Sequence, residues 1–153
     1  MNRPEHFWHG THVALNPGDV ILPRGKSGAD SNYGDGQYAP EGYNAPDFAY
    51  ASDRLFSAVN YGQHASFWKN RDNKYSVPPG PEVKTRVYRV KPVADDVTVD
   101  EFGGNEPGQK KFKDYKSPSG FVVDREVTHS GVCRDCNDLR DLDGGCSCNG
   151  QQD

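Results

Sequence analysis

Three short stretches hold side chains of suitable type and spacing for work on a small polar ligand. In Phe7-Trp8-His9-Gly10-Thr11 an imidazole is followed by a glycine and a hydroxyl. The imidazole can hydrogen-bond a ligand hydroxyl, and the threonine adds a second polar contact. The glycine has no Cβ and so leaves its backbone N–H and C=O open to approach. In Phe48-Ala49-Tyr50-Ala51-Ser52 a strand leads into a helix that carries Tyr61. Two aromatic faces placed in that way can hold a flat heteroaromatic ring, or can both be core residues with satisfied hydroxyls. In Val97-Thr98-Val99-Asp100-Glu101-Phe102 a strand ends in adjacent carboxylates. Such acids can stabilise a developing cation or orient a sugar hydroxyl, or can be plain solvated charge.

The other candidate ligands are histidines and cysteines. His6, His9 and His12 recur every third residue, a step that gathers side chains on a helix. Gly10 and the alternating apolar residues make this a strand and turn, so no metal is expected there. His64 and His129 belong to no visible constellation. All four cysteines fall in Cys133-Arg134-Asp135-Cys136 and Cys146-Ser147-Cys148. A C-x-x-C turn is a common half of a zinc site, whereas C-x-C is a less usual second half. A four-cysteine zinc knuckle, one or two disulfides, and a tail with incidental thiols all fit this pattern. The first residues, Met1-Asn2-Arg3-Pro4-Glu5-His6, contain no apolar run, so a reducing, cytoplasmic setting is expected, which weighs against disulfides. Five Asp against two Arg between Cys133 and Asp153 make the tail a poor grip for nucleic acid; a zinc ion there would serve folding or docking.

The elements that must position these residues are short. Residues 7–22 read as two strands joined by a turn at Pro17-Gly18. Residues 23–46 read as a long polar loop with tyrosines at 33, 38 and 43. A strand at 48–51 runs into a helix, capped by Ser52 or Asp53, whose Leu55, Ala58, Val59, Gly62 and Ala65 share one face. Residues 69–82 read as a loop, 83–93 and 97–99 as strands, 103–119 as a polar segment, and Phe121-Val122-Val123 with Val127 as the closing strand. The expected class is α+β: a small, mainly antiparallel sheet with one main helix and long polar loops. Residues 1–130 form the expected domain and 131–153 an acidic, cysteine-rich tail.

Composition narrows the function classes. With 153 residues there is room for one domain. A hydrophobic fraction of 33%, with 17 Gly and 11 Pro and a mean hydropathy of −0.91, excludes a helical membrane protein and argues against a helical bundle. Seven Phe, eight Tyr and two Trp supply anchors that a wholly disordered chain lacks. A net charge of −4 encodes no general attraction for phosphate backbones.

Together, the strand His-Gly-Thr, the strand Tyr-x-Ser entering a helix with a second aromatic, and the strand-end acid resemble the His-Tyr-acid class of ADP-ribosyltransferases. Within it the chain is similar to the small bacterial rifamycin ADP-ribosyltransferases. The likeness runs through His9-Gly10-Thr11, Pro17-Gly18-Asp19, Ser31-Asn32-Tyr33, Tyr50-Ala51-Ser52, Ala58-Val59-Asn60-Tyr61-Gly62 and Arg86-Val87-Tyr88-Arg89-Val90-Lys91-Pro92, and fades near Tyr115-Lys116-Ser117. It implies that His9 contacts the adenosine ribose of NAD and that Gly10 binds the nicotinamide amide. It also implies that Tyr50 and Tyr61 flank the nicotinamide, with Thr11 and Ser52 in the same NAD-binding segments. Ungapped counting from Val90-Lys91-Pro92 puts the family's acid at Val99. A one-residue shift gives Asp100, followed by Glu101 and Asp96. The family's lysine-rich segment before the final strand is poorly matched by Gly103-Gly104-Asn105-Glu106-Pro107-Gly108-Gln109-Lys110-Lys111, which leaves the acceptor open.

The implied activity is NAD-dependent mono-ADP-ribosyl transfer with NAD as co-substrate, and the implied acceptor is a rifamycin-type antibiotic. The alternatives are a protein or nucleic-acid acceptor, or a non-catalytic NAD- or ADP-ribose-binding module that docks through a zinc tail formed by Cys133, Cys136, Cys146 and Cys148. No membrane partner is expected.

Overall fold

The computed structural model describes residues 7–27, 47–99, 114–132 and 139–141. Seven strands share one sheet: β1 (Phe7–Thr11), β2 (Val20–Ile21), β3 (Ala49–Ser52), β4 (Arg86–Pro92), β5 (Thr98–Val99), β6 (Asp114–Ser117) and β7 (Phe121–Glu126). Their spatial order is β2-β7-β4-β1-β3-β6-β5, and every pairing is antiparallel. Among the described residues the helices are a single turn, α1 (Arg24–Ser27), and the main helix α2 (Leu55–Tyr75). Strands β8 (His129–Val132) and β9 (Leu139–Asp141) pair with each other in a separate ladder. The chain is therefore α+β with an antiparallel sheet and one main helix. Among the described residues no helix is long and apolar enough to cross a membrane.

Period-two alternation along β1 sends neighbouring side chains to opposite faces of the sheet. Phe7 joins Ala49, Ala51, Tyr88, Val90, Phe121 and Val123 on one face. Trp8 joins Leu55, Ala58, Val59, Val87 and Val127 under α2 on the other. Phe7 meets Tyr115 edge-on at 5.2 Å and lies 5.8 Å from Phe121. Burying a side chain of this size contributes about 2 kcal/mol. The Tyr88 hydroxyl accepts the Leu15 N–H at 2.8 Å and donates to the Val13 carbonyl at 2.9 Å, which pins the chain leaving β1 across the core.

Glycine lets α2 lie close on β1. A Cβ on Gly10 would stand 1.7 Å from the Ala58 carbonyl oxygen and 2.6 Å from the Gly62 nitrogen. Gly62 in turn has no room for a Cβ, which would meet Thr85 at 2.8 Å. The apolar positions Leu55, Ala58, Val59 and Ala65 read from the sequence are buried against the sheet.

Four local expectations are corrected. The helix does not stop before residue 69 but runs to Tyr75, because the first helix breaker is Pro78. Residues 70 and 73 then hold the following loop: Asn70 exchanges hydrogen bonds with the Val83 backbone, and Asn73 donates to the Pro81 carbonyl. That grip keeps Val83 out of β4, which begins at Arg86. The helix N-cap is Arg54, with no side-chain cap bond; the Ser52 hydroxyl instead accepts the Arg54 N–H at 3.1 Å. The two strands read in residues 7–22 are present and joined by the expected turn, with Gly18 at φ 92°, and they do not pair with each other. β2 crosses to the sheet edge beside β7. Finally, β6 lies inside the stretch read only as a polar segment.

Candidate functional site

The two neighbours of β1 treat it differently. With β4 it is paired at all five residues, from Phe7↔Val90 to Thr11↔Arg86. With β3 it is paired only at Trp8↔Ser52. Beyond that position the ladder stops and a side chain takes over: His9 Nδ1 lies 2.7 Å from the Tyr50 carbonyl oxygen. A carbonyl can only accept, so Nδ1 carries the proton and Nε2 is left as the acceptor in the neutral ring. Burial keeps the imidazole pKa below its ordinary 6.5, opposed by the smaller effect of the Tyr50 bond. The ring is therefore neutral at pH 7, with one nitrogen committed and the other able to accept a hydroxyl proton.

Ala49 and Ala51 belong to the core cluster that includes Phe7. Alternation therefore puts Tyr50 and Ser52 on the opposite face, the one covered by α2. Asp114 pairs with Ser52 across β3 and β6 and shares that face. Tyr61, half-buried on α2, donates its hydroxyl to Asp114 Oδ2 in a short hydrogen bond. Tyr50, Ser52, Tyr61 and Asp114 thus stand on the helix side of the sheet. His9, two residues along β1 from Phe7, stands on the other, where the β1–β3 ladder has ended.

Three of the expected ligand contacts have structural duties. The bare face of Gly10 is filled by α2, which supplies a packing reason for glycine at this position. The Thr11 hydroxyl accepts the Val13 N–H at 3.2 Å, and so shapes the turn after β1. Ser52 is buried and holds the strand-to-helix corner.

The carboxylates separate clearly. Asp96 accepts hydrogen bonds from the Ser117 hydroxyl at 2.7 Å and from the Ser119 hydroxyl. These two bonds hold its pKa below the ordinary carboxylate value. Both of its oxygens are thereby tied to the β6–β7 turn. Asp100 and Glu101 lie outside the described residues, directly after β5. Asp114 was not singled out from sequence. It is 3% exposed and touches the ring-bearing residue Tyr61, which no spacing from Val90-Lys91-Pro92 could have indicated. The signal available was an acid just before an aromatic, in Asp114-Tyr115-Lys116-Ser117. Tyr115 itself is half-buried against the Phe7 core; burial, with the Asp53 charge second, pushes its hydroxyl up to about 12.

Cys133, Cys136, Cys146 and Cys148 lie outside the described residues, and the expected tail begins within β8. Among the described residues no cluster of three or more His, Cys, Asp or Glu side chains is arranged to hold a metal. Compared with protein-family models and with curated protein sequences, the chain matches none.

Proposed function

We propose that the protein is an NAD-dependent mono-ADP-ribosyltransferase: it breaks the nicotinamide–ribose bond of NAD, releases nicotinamide and passes ADP-ribose to an acceptor nucleophile. The observation that carries this reading is the His9–Tyr50 junction at the end of the β1–β3 ladder. It supplies a neutral imidazole on one face of the sheet, oriented by the backbone carbonyl of a residue whose own ring stands on the other face, the α2 side that also carries Tyr61. His9 Nε2 accepts a proton from a hydroxyl of the adenosine ribose. The rings of Tyr50 and Tyr61 flank the nicotinamide, and the Gly10 backbone meets its amide. Asp114, by holding the Tyr61 hydroxyl, fixes the position of the far end of that ring.

Bond cleavage leaves positive charge on the ribose and a neutral leaving group. The site therefore needs a fixed carboxylate more than a strong acid. Asp100, with Glu101 beside it, follows β5 directly and supplies that charge; Asp96 is committed to its turn. The acceptor is a rifamycin-type antibiotic, selected by the tyrosine-bearing residues 23–46, and the setting is cytoplasmic.

Incubation with NAD, following nicotinamide release by chromatography and acceptor modification by mass, tests the reading. Tyr50→Ala and Asp100→Ala should each lower turnover by about 100-fold or more. Unchanged turnover in both variants removes the assigned site, and failure to bind NAD at millimolar concentration removes the activity.

A further inference from the structure

The C-terminal half of α2 presents a surface that the proposed reaction does not use. Phe67 and Tyr75 are 60% and 72% exposed, and Trp68 stands edge-on to Phe67 at 5.3 Å. Arg71 lies over the Trp68 ring at 5.2 Å, and Lys74 over the Tyr75 ring at 5.7 Å. The same pairing recurs at the other end of the helix, with Arg54 5.5 Å from the exposed ring of Phe56. At about 100° per residue, Phe56, Phe67, Trp68, Arg71, Lys74 and Tyr75 fall on one outward arc opposite the buried Ala58 and Gly62. The helix's one acid, Asp72, falls at the border of that arc, about 40° beyond Trp68. A chain of net charge −4 thus carries a ribbon of rings and cations without a carboxylate among them.

We propose that this face of α2 binds single-stranded nucleic acid, with bases stacking on the open faces of Phe67, Trp68 and Tyr75 and phosphates meeting Arg71 and Lys74. Base–aromatic stacking tolerates any sequence because every base has a π-face, and a guanidinium on the far side of a ring strengthens the stack. The rings and cations interleave within the arc. A membrane-surface helix would segregate them into an apolar face and a basic face. A second copy of the chain would bring cation against cation. An acidic peptide would engage the cations and leave the rings in water. A duplex hides its base faces, and two cations give it little to hold. The net charge excludes a general attraction for phosphate, and what the ribbon supplies is a local and salt-sensitive one.

The test titrates the full chain with a deoxythymidine oligomer about 12 nucleotides long, reading labelled-oligomer anisotropy and tryptophan emission. Trp8 is buried and Trp68 exposed, so quenching on binding reports Trp68. The expected results are quenching that Trp68→Phe abolishes, and roughly tenfold weaker binding in Trp68→Ala. Arg71→Glu with Lys74→Glu should also weaken binding at least tenfold. For the two phosphate contacts, affinity should fall roughly sevenfold between 50 and 200 mM salt. All these positions are exposed, and far-UV circular dichroism checks that each variant folds. No anisotropy change, equal affinity for a duplex of the same length, binding that survives the charge reversals, or binding to phosphatidylserine vesicles in place of the oligomer overturns the proposal. None of these readouts depends on NAD turnover.

Discussion

The two edges of β1 show one five-residue strand serving two ends. Toward β4 every residue is paired, and the edge is part of the scaffold. Toward β3 one pair holds, and the next contact is His9 to the Tyr50 carbonyl. A backbone ladder uses up its polar groups, whereas a ladder that ends early leaves room for a side chain whose second nitrogen is uncommitted. Gly10 lies between these roles, because its missing Cβ lets α2 pack over the strand. The strand can expose chemistry on one edge only because its other edge and its helix face are fixed.

The largest effect should come from breaking the fixed side. Gly10→Ala puts a methyl group 1.7 Å from the Ala58 carbonyl oxygen, and neither backbone can yield without moving α2. Overpacking against backbone should cost about 3 kcal/mol or more and lower Tm by roughly 10 °C, as read by calorimetry. A Tm within a degree or two of the parent would mean that α2 does not rest on β1 in this way.

His9→Ala acts on the other edge. It should remove about 100-fold or more of kcat/KM for NAD while shifting Tm far less than Gly10→Ala. The parent's pH profile should show the same group. Neutral His9 accepts a hydroxyl proton; protonated His9 cannot. Activity should therefore be full at pH 7 and fall on the acid side with an apparent pKa below 6.5, the direction in which burial moves it. Stability follows the same sign. As pH drops below 6.5 the unfolded chain takes up a proton before the folded one, so stability declines until the lowered pKa is passed. An acid limb at or above 6.5 would mean that another group controls the profile.

Tyr61→Phe and Asp114→Asn should have intermediate effects and separate ring position from fold. The first leaves Asp114, at 3% exposure, without the Tyr61 hydroxyl, at a cost of about 1–3 kcal/mol. If Asp114 acts by orienting Tyr61, both variants should raise KM for NAD several-fold with a smaller change in kcat, and nicotinamide should inhibit them less well. A loss in kcat alone in Asp114→Asn, absent from Tyr61→Phe, would assign Asp114 to the reacting ribose instead.

The sequence displayed the parts of the molecule whose signal is local. The His9-Gly10-Thr11 strand, the Tyr50 strand and the apolar face of α2 follow from alternation and helical spacing. What it concealed depends on partners distant in the chain. Strand β6 reads Asp114-Tyr115-Lys116-Ser117, and its two buried positions are polar, so its burial comes from Tyr61, Asp96 and the pairing with β3 and not from hydrophobicity. The end of α2 was hidden because Asn70 and Asn73, ordinarily turn residues, bind the returning loop. Strand β2 is legible as a strand, but its partner is not, because nothing within residues 7–22 points to β7.

The smallest effect on turnover is expected at Asp96, and it tests whether the third acid near the edge of the sheet belongs to the scaffold or to the site. Its two oxygens receive the hydroxyls of Ser117 and Ser119. Ser117 also accepts the N–H groups of Ser119 and Gly120, so the three residues close the β6–β7 turn as a unit. Asp96→Asn keeps the size and one acceptor oxygen, and should leave kcat and KM within about twofold of the parent. Its trace should be in acid stability. In the parent the contribution of Asp96 is complete above pH 3.8, the ordinary value, and is lost as pH falls through the lowered one. Urea midpoints measured between pH 5 and pH 2 should therefore fall more steeply in the parent than in Asp96→Asn. A large loss of turnover in this variant, with that pH dependence unchanged, would move Asp96 out of the turn and into the catalytic site.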